Sequence, residues 1–211
     1  KDVNKLKKVA QVLGIAIKDR SKEEIAVEVA EKVLENFGQQ DGEISLIKQA
    51  PETRQNLWRQ LNIVPRGIDR EIVEMMHRTT MGVDQDHRNI MLHGARTALA
   101  DGWGGSMIAT ELQDILFGTP SPIRGQVNLG VLSETDVNIM VHGHEPVLSE
   151  ILVLAAQDHE LIELAKSKGA TGINLAGICC TANEILLRHG LPIAGNILQQ
   201  ELAIATGAVE A

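Results

Sequence analysis

The hydrophobic pattern of the chain changes in kind near residue 122. Before that point, apolar residues recur at every third or fourth position, which is typical of amphipathic helices. After it, short apolar runs at 137–141 and 172–178 alternate with helical segments, as in βαβ units on a parallel sheet. The sequence therefore predicts an α/β protein, with a helical domain at 1–122 and an incomplete Rossmann-like parallel-sheet domain at 123–211.

Several local signals predict where individual elements begin and end. Ser21 followed by Glu24 predicts a capping box at the start of a helix. Asp69 is expected to cap a later helix, and the glycine-rich segment 101–105 is expected to end another. The apolar run 127–132 predicts a further strand ahead of the one at 137–141.

Composition excludes several functional classes. The net charge is −8, no long run of Lys or Arg is present, and aromatic residues make up 2%, so binding to nucleic acid is not expected. No apolar run approaches the ~18 residues of a membrane span, and no signal peptide is evident. We therefore expect a soluble, cytoplasmic protein without a membrane span.

Both ends of the sequence look internal to a longer protein. The chain opens at Lys1 without an initiator Met, and the pattern up to Ala211 still favours a helix. We expect the chain to be a fragment of a larger polypeptide.

Histidines and cysteines follow two of the predicted strands. His142 and His144 come directly after the strand at 137–141, and Cys179 and Cys180 follow the one at 172–178. Because ligands gather at the carboxyl ends of parallel strands, these side chains are expected at one edge of the sheet. Imidazole with thiolate suits zinc, copper, nickel or an iron–sulfur centre. Two other interpretations stay open on spacing alone: a cysteine nucleophile at a helix N-terminus, or small buried thiols without chemistry.

Three sequence segments resemble a known family. They read Ala-Leu-Ala-Asp-Gly-Trp-Gly-Gly-Ser at 98–106, Val-His-Gly-His-Glu-Pro at 141–146 and Gly-Ile-Cys-Cys-Thr-Ala-Asn-Glu at 177–184. Together with Arg-His-Gly at 188–190 and Leu-Gln-Gln-Glu-Leu at 198–202, they resemble the catalytic subunit of anaerobic nickel–iron–sulfur carbon monoxide dehydrogenases. The resemblance is clearest from about Thr79 to the end.

The resemblance implies a helical domain followed by Rossmann-like domains in a homodimeric enzyme. That enzyme would oxidise carbon monoxide with water to carbon dioxide, reversibly, and pass electrons to a ferredoxin-like carrier. An acetyl-CoA synthase is a further implied partner. The implied cofactors are a Ni–Fe–S cluster and 4Fe–4S clusters.

The resemblance also implies roles for particular residues. The histidine ligand would fall at His144, with His142 as the alternative, and the first cysteine ligand at Cys179, with Cys180 as the alternative. Asp101 and His93 are candidates for catalytic acid–base or supporting roles, although a helix-capping role for Asp101 and simple packing for His93 are alternatives.

Departures from the family pattern limit what this chain can do alone. It has two cysteines, so the segments that would bind the electron-transfer clusters and complete the active cluster are absent. We expect the isolated chain to bind no intact cluster and to be inactive. A hybrid-cluster protein resembling hydroxylamine reductases and a non-catalytic scaffold domain are the alternatives.

Overall fold

The computed structural model describes residues 1–80, 82–144 and 146–211. Two compact units are present, Lys1–Thr119 and Pro120–Ala211. The first is helical and the second holds a parallel sheet, so the predicted fold class is confirmed. The assignment of separate domains to residues 1–122 and 123–211 stays a prediction.

The first unit contains six α-helices in its described residues. They are α1 (Val3–Val12), α2 (Lys22–Gly38), α3 (Glu52–Gln60), α4 (Ile68–Thr80), α5 (His87–Ala100) and α6 (Met107–Phe117). A 3-10 turn at Ser45–Gln49 lies between α2 and α3. Within the described part of the chain, no helix combines the length and apolar character that a membrane crossing requires.

The start of α2 confirms the predicted capping box. The Ser21 side chain accepts a hydrogen bond from the Glu24 amide, and the Glu24 carboxylate accepts one from the Ser21 amide (2.8 Å). The buried face of α2 packs into one aliphatic core with α1 and the 3-10 turn. That core includes Leu6, Val9, Ile25, Val29, Ile44 and Ile47.

Two predicted helix boundaries in this unit are wrong. Asp69 lies inside the first turn of α4, which begins at Ile68. The glycine-rich segment does not end a helix, because Asp101–Ser106 forms a π-helical turn that joins α5 to α6. A Cβ on Gly104 would lie 2.7 Å from side-chain atoms of buried Ile68, so glycine permits a close approach to α4.

The second unit is built on three parallel strands in the order β1-β2-β3. These are β1 (Val137–His142), β2 (Ile173–Ile178) and β3 (Ile193–Gly195). Four α-helices accompany them: α7 (Pro146–Ala156), α8 (His159–Ser167), α9 (Cys179–His189) and α10 (Gln200–Ala205). Gly177 in β2 lies against α9, where an added Cβ would come within 2.5 Å of the Ala182 Cα.

The strand predicted at 127–132 is absent. Val127 forms only an isolated bridge with Ile193, and Leu129–Val131 forms a 3-10 turn. The apolar side chains Leu129, Val131 and Leu132 instead pack against one of the small cores beside the sheet. Packing of these three side chains, without strand pairing, therefore explains the apolar character of residues 129–132.

The last residues also differ from the helical expectation. Helix α10 ends at Ala205, and the chain then runs beside the outer edge of β1. The Glu210 amide donates to the Asn138 carbonyl (3.1 Å), and the Met140 amide donates to the Ala211 carbonyl (2.7 Å). Asn138 is fully buried, and its side-chain amide donates to the carbonyls of Ser133 and Ala208 (both 2.6 Å).

Replacement of Gly104 by alanine should destabilise the protein. The new methyl group would collide with Ile68, and overpacking of this kind costs roughly 1–3 kcal/mol of unfolding free energy. Gly102→Ala in the same π-helical turn is the control, because no atom lies within 4 Å of its added Cβ. Urea denaturation of both variants measures the difference, and equal unfolding free energies would contradict the packing interpretation.

Candidate metal centre

The pairing of β1 with β2 brings the two predicted clusters together. The strands are parallel, and their register aligns His142 with Ile178, so the residues that follow each strand leave the sheet at the same edge. The His144 Nε2 atom lies 3.3 Å from the Cys179 Sγ atom. With Cys180 included, the three side-chain donor atoms all lie within 4.8 Å of one another.

His142 does not belong to this group of donors. It is the last residue of β1 and is exposed, whereas His144 lies beyond the turn made by Gly143. Among the described residues at this edge of the sheet, the group of donor side chains therefore consists of His144, Cys179 and Cys180. Glu145, part of the Val-His-Gly-His-Glu-Pro segment, lies outside the described residues.

The backbone around the site has unusual conformations on both loops. Gly143 has φ +124°, which a residue with a side chain rarely adopts, and this explains a glycine between the two histidines. Cys179 adopts φ +70°, which is costly for a non-glycine residue. The Thr181 amide donates to the Gly143 carbonyl (3.0 Å) and so joins the two loops directly.

The thiols line a cavity of about 410 Å³ beside the ends of β2 and β3. Its other walls include apolar Val127 and Ile193 and the amide side chains of Asn183 and Asn196, among other residues. Burial raises the pKa of Cys180, and the neighbouring Cys179 raises it further. A bound cation would favour the thiolate form, so metal binding here would release a proton.

The donor set fits part of a soft metal centre. One imidazole and two thiols suit nickel, zinc or an iron–sulfur centre better than calcium or magnesium. A 4Fe–4S cluster generally uses four thiolates, and this chain has two cysteines. His144, Cys179 and Cys180 could therefore hold one side of a cluster whose remaining ligands lie on other polypeptide segments.

His93 occupies a different environment, inside the first unit. It is 2% exposed, and its Nε2 atom lies 3.2 Å from a carboxylate oxygen of buried Glu71. Arg66 donates to both oxygens of that carboxylate (2.9 and 3.0 Å), and Arg96 lies 3.8 Å from it. Burial would raise the pKa of Glu71, but the hydrogen bonds and charge of Arg66, together with Arg96, outweigh burial and lower it.

This buried network resembles a structural ion cluster more than a second metal centre. Glu71, Glu74 and His93 have donor atoms within 4.8 Å of one another, but guanidinium groups already neutralise both carboxylates. Asp101 is exposed and opens the π-helical turn. The catalytic roles expected of His93 and Asp101 stay predictions.

Sequence reasoning missed the residues that connect the two loops. Gly143, Ser149 and Thr181 carry no metal-binding chemistry, and the only available signal was a glycine between two histidines. Sequence reasoning also missed Glu71, because a charged residue in a helical pattern gives no sign that its side chain is buried.

The family comparison defines the class of protein. The model of the Prismane/CO dehydrogenase family matches residues 1–211, and the chain belongs to that family. Carbon monoxide dehydrogenase 1 of Methanosarcina acetivorans is 64% identical over 211 residues, covering 100% of this chain and 34% of the relative. The chain thus spans about a third of the length of this relative.

Solved structures agree in fold and in family. A nickel-free carbon monoxide dehydrogenase from Thermococcus sp. AM4, produced without CooC maturase, superposes with a TM-score of 0.94 at 52% identity, over 100% of this chain and 33% of that one. A second structure is of acetyl-CoA synthase/carbon monoxide dehydrogenase, with NiZn[Fe4S4] and NiNi[Fe4S4] clusters in its closed and open alpha subunits. It matches with a TM-score of 0.91 at 46% identity, over 99% of this chain and 31% of that one.

The stability of the protein should decrease below about pH 6.5 because of His93. Burial and the charge of Arg78 lower its pKa from the ordinary 6.5, despite the opposing effects of Glu74 and Glu71. The unfolded state therefore binds the proton more readily, so this contribution is present above that pH and is lost as the pH falls.

Urea denaturation at several pH values between about 7.5 and 5.5 tests this expectation. His93→Gln should flatten the pH dependence of the unfolding free energy, whereas His87→Gln, at an exposed position on the same helix, should leave it unchanged. Equal slopes for wild type and His93→Gln would contradict it.

Proposed function

We propose that this chain is part of a nickel–iron–sulfur carbon monoxide dehydrogenase and supplies ligands to its active cluster. The observation that carries the proposal is the 3.3 Å approach of the His144 imidazole to the Cys179 thiol, with Cys180 in the same group. His144 is the proposed imidazole ligand. Cys179 is the proposed thiolate ligand, and Cys180 is the alternative.

In this proposal the reaction is the reversible oxidation of carbon monoxide with water to carbon dioxide, two protons and two electrons. When bound, a nickel–iron–sulfur cluster supplies a soft metal for carbon monoxide and a Lewis acid for water. His144 and the thiol pair bind and orient one side of that group at the sheet edge. Val127 and Ile193 give the cavity beside the thiols an apolar wall, while Asn183 and Asn196 offer hydrogen bonds.

Acid–base partners would have to move the protons released by the reaction. Asp101, in the family-like segment 98–106, is the proposed supporting carboxylate, and it is exposed at the start of the π-helical turn. His93 is a weaker candidate for proton transfer, since its imidazole is buried against Glu71.

The alternatives are less well supported. A hybrid-cluster protein would belong to the same broad family, but the relatives and solved structures described above are named carbon monoxide dehydrogenases. A scaffold domain without chemistry gives no reason for an imidazole and two thiols to converge at the carboxyl ends of two strands.

The partners and location of the parent protein are part of the proposal. We propose a cytoplasmic homodimer that passes electrons to a ferredoxin-like carrier through 4Fe–4S clusters on other segments. An assembly with acetyl-CoA synthase is supported by the similar chain of the acetyl-CoA synthase/carbon monoxide dehydrogenase structure. Because this chain has two cysteines, we propose that it has no activity by itself.

Metal analysis of the anaerobically purified full-length protein tests the proposed ligands. His144→Ala should lower both nickel and iron per polypeptide, because the imidazole holds one edge of the cluster. His142→Ala is the matched control and should keep both metals, since His142 is exposed and outside the donor group. Of Cys179→Ser and Cys180→Ser, the variant that loses metal identifies the thiolate ligand, and Cys179→Ser is expected to do so.

Three results would contradict this proposal in different ways. Iron without nickel in the wild-type protein would favour the hybrid-cluster alternative, and a metal-free protein would favour the scaffold. Loss of metal in His142→Ala with retention in His144→Ala would reverse the assignment of the histidine.

A further inference from the structure

Helices α7 and α9 contact each other directly behind the two loops of the candidate metal centre. Helix α7 begins just after His144, and α9 begins at Cys179. Ser149 on α7 and Thr181 on α9 are 4% and 2% exposed, and their hydroxyl oxygens lie 3.4 Å apart. Two buried hydroxyl groups thus meet where the helices that follow the ligand loops converge.

Thr181 also connects the loops through its backbone. Its amide is one of the first in α9, where amide groups have no partner within the helix. It donates instead to the carbonyl of Gly143, the residue directly before His144 (3.0 Å). This hydrogen bond therefore joins the histidine loop to the cysteine pair. Each of the three donor residues lies within two positions of Gly143 or Thr181 in the sequence.

A second contact holds the same two helices farther along α9. His189 Nε2 lies 2.7 Å from the carboxylate of buried Glu150, and Arg188 Nε lies 4.0 Å from it. Helix α9 is thus attached to α7 near both of its ends. At the first end, the contact of Thr181 with Ser149 opposes a rotation of α9 that would carry the cysteines away from His144.

We propose that Thr181 is a positioning residue that sets the separation between the His144 imidazole and the thiols of Cys179 and Cys180. The amide fixes the His144 loop, and the hydroxyl group anchors the same residue to α7. This inference rests on the proposed metal-binding function of the site. Groups that orient metal ligands in this way often change metal affinity by about 10- to 100-fold when they are replaced.

Cobalt(II) binding to the metal-free, reduced chain tests the role of Thr181. The chain contains two cysteines, so a thiolate-to-cobalt absorption band reports on this site alone. Thr181→Val has a similar shape but lacks the hydroxyl group, and it should bind cobalt(II) about tenfold more weakly than wild type. Thr181→Ser restores the hydroxyl group and should bind close to wild type.

The matched control is Thr110→Val, which makes the same chemical change at an exposed helical position in the first unit. It should leave cobalt(II) affinity unchanged. Circular dichroism and the thermal midpoint of each metal-free variant establish that the fold is retained, and the affinity ratio is compared among folded variants. Ser149→Ala, which removes the other hydroxyl group of the pair, should weaken binding in the same direction and provides a second variant if Thr181→Val does not fold.

The outcomes separate this inference from the proposed function. Wild-type affinity in both Thr181→Val and Ser149→Ala, or equal loss in Thr181→Ser and Thr181→Val, would show that the hydroxyl group does not position the ligands and would overturn the inference alone. A wild-type chain without a thiolate-to-cobalt band, or a band unaffected by His144→Ala, would overturn the metal site itself and the inference with it.

Discussion

The parallel pairing of β1 with β2 is the constraint on which the candidate site depends. Its register aligns His142 with Ile178, so the turn after β1 and the start of α9 must occupy the same edge of the sheet. A slip of one residue would turn every side chain of a strand to its other face. The buried positions of Asn138, Val141 and Leu175 oppose such a slip, because it would take Asn138 from its hydrogen bonds and the two apolar side chains from their core.

Once the register is set, local backbone geometry places the donor atoms. Gly143 makes a turn that residues with side chains rarely adopt, and Cys179 accepts a left-handed conformation at the first position of α9. Strain of this kind persists where surrounding contacts determine the conformation, and it is common at functional sites. The hydrogen bond from Thr181 to Gly143 is one such contact.

The sequence was sufficient to predict those features that depend on periodicity and on strand order. Helices α2 and α9, strands β1 and β2, and the convergence of His144 with the cysteine pair all follow from local patterns that the tertiary structure preserves. The strand expected at 127–132 was wrong because burial against a neighbouring core produces the same apolar run as a strand. The π-helical turn at Asp101–Ser106 was missed because Gly104 serves a contact with Ile68, which is distant in sequence. The choice between Cys179 and Cys180 depends on geometry that two adjacent residues cannot encode in their spacing.

The path of residues 208–211 beside β1 has a consequence for how this sheet behaves in concentrated solution. The edge of a sheet presents unpaired amide and carbonyl groups, and a neighbouring molecule can extend the sheet by pairing with them. Here the Asn138 carbonyl and the Met140 amide already have partners in the last residues of the same chain. Removal of those residues would open this edge and expose the buried amide of Asn138, so self-association through β1 would become a route to aggregation.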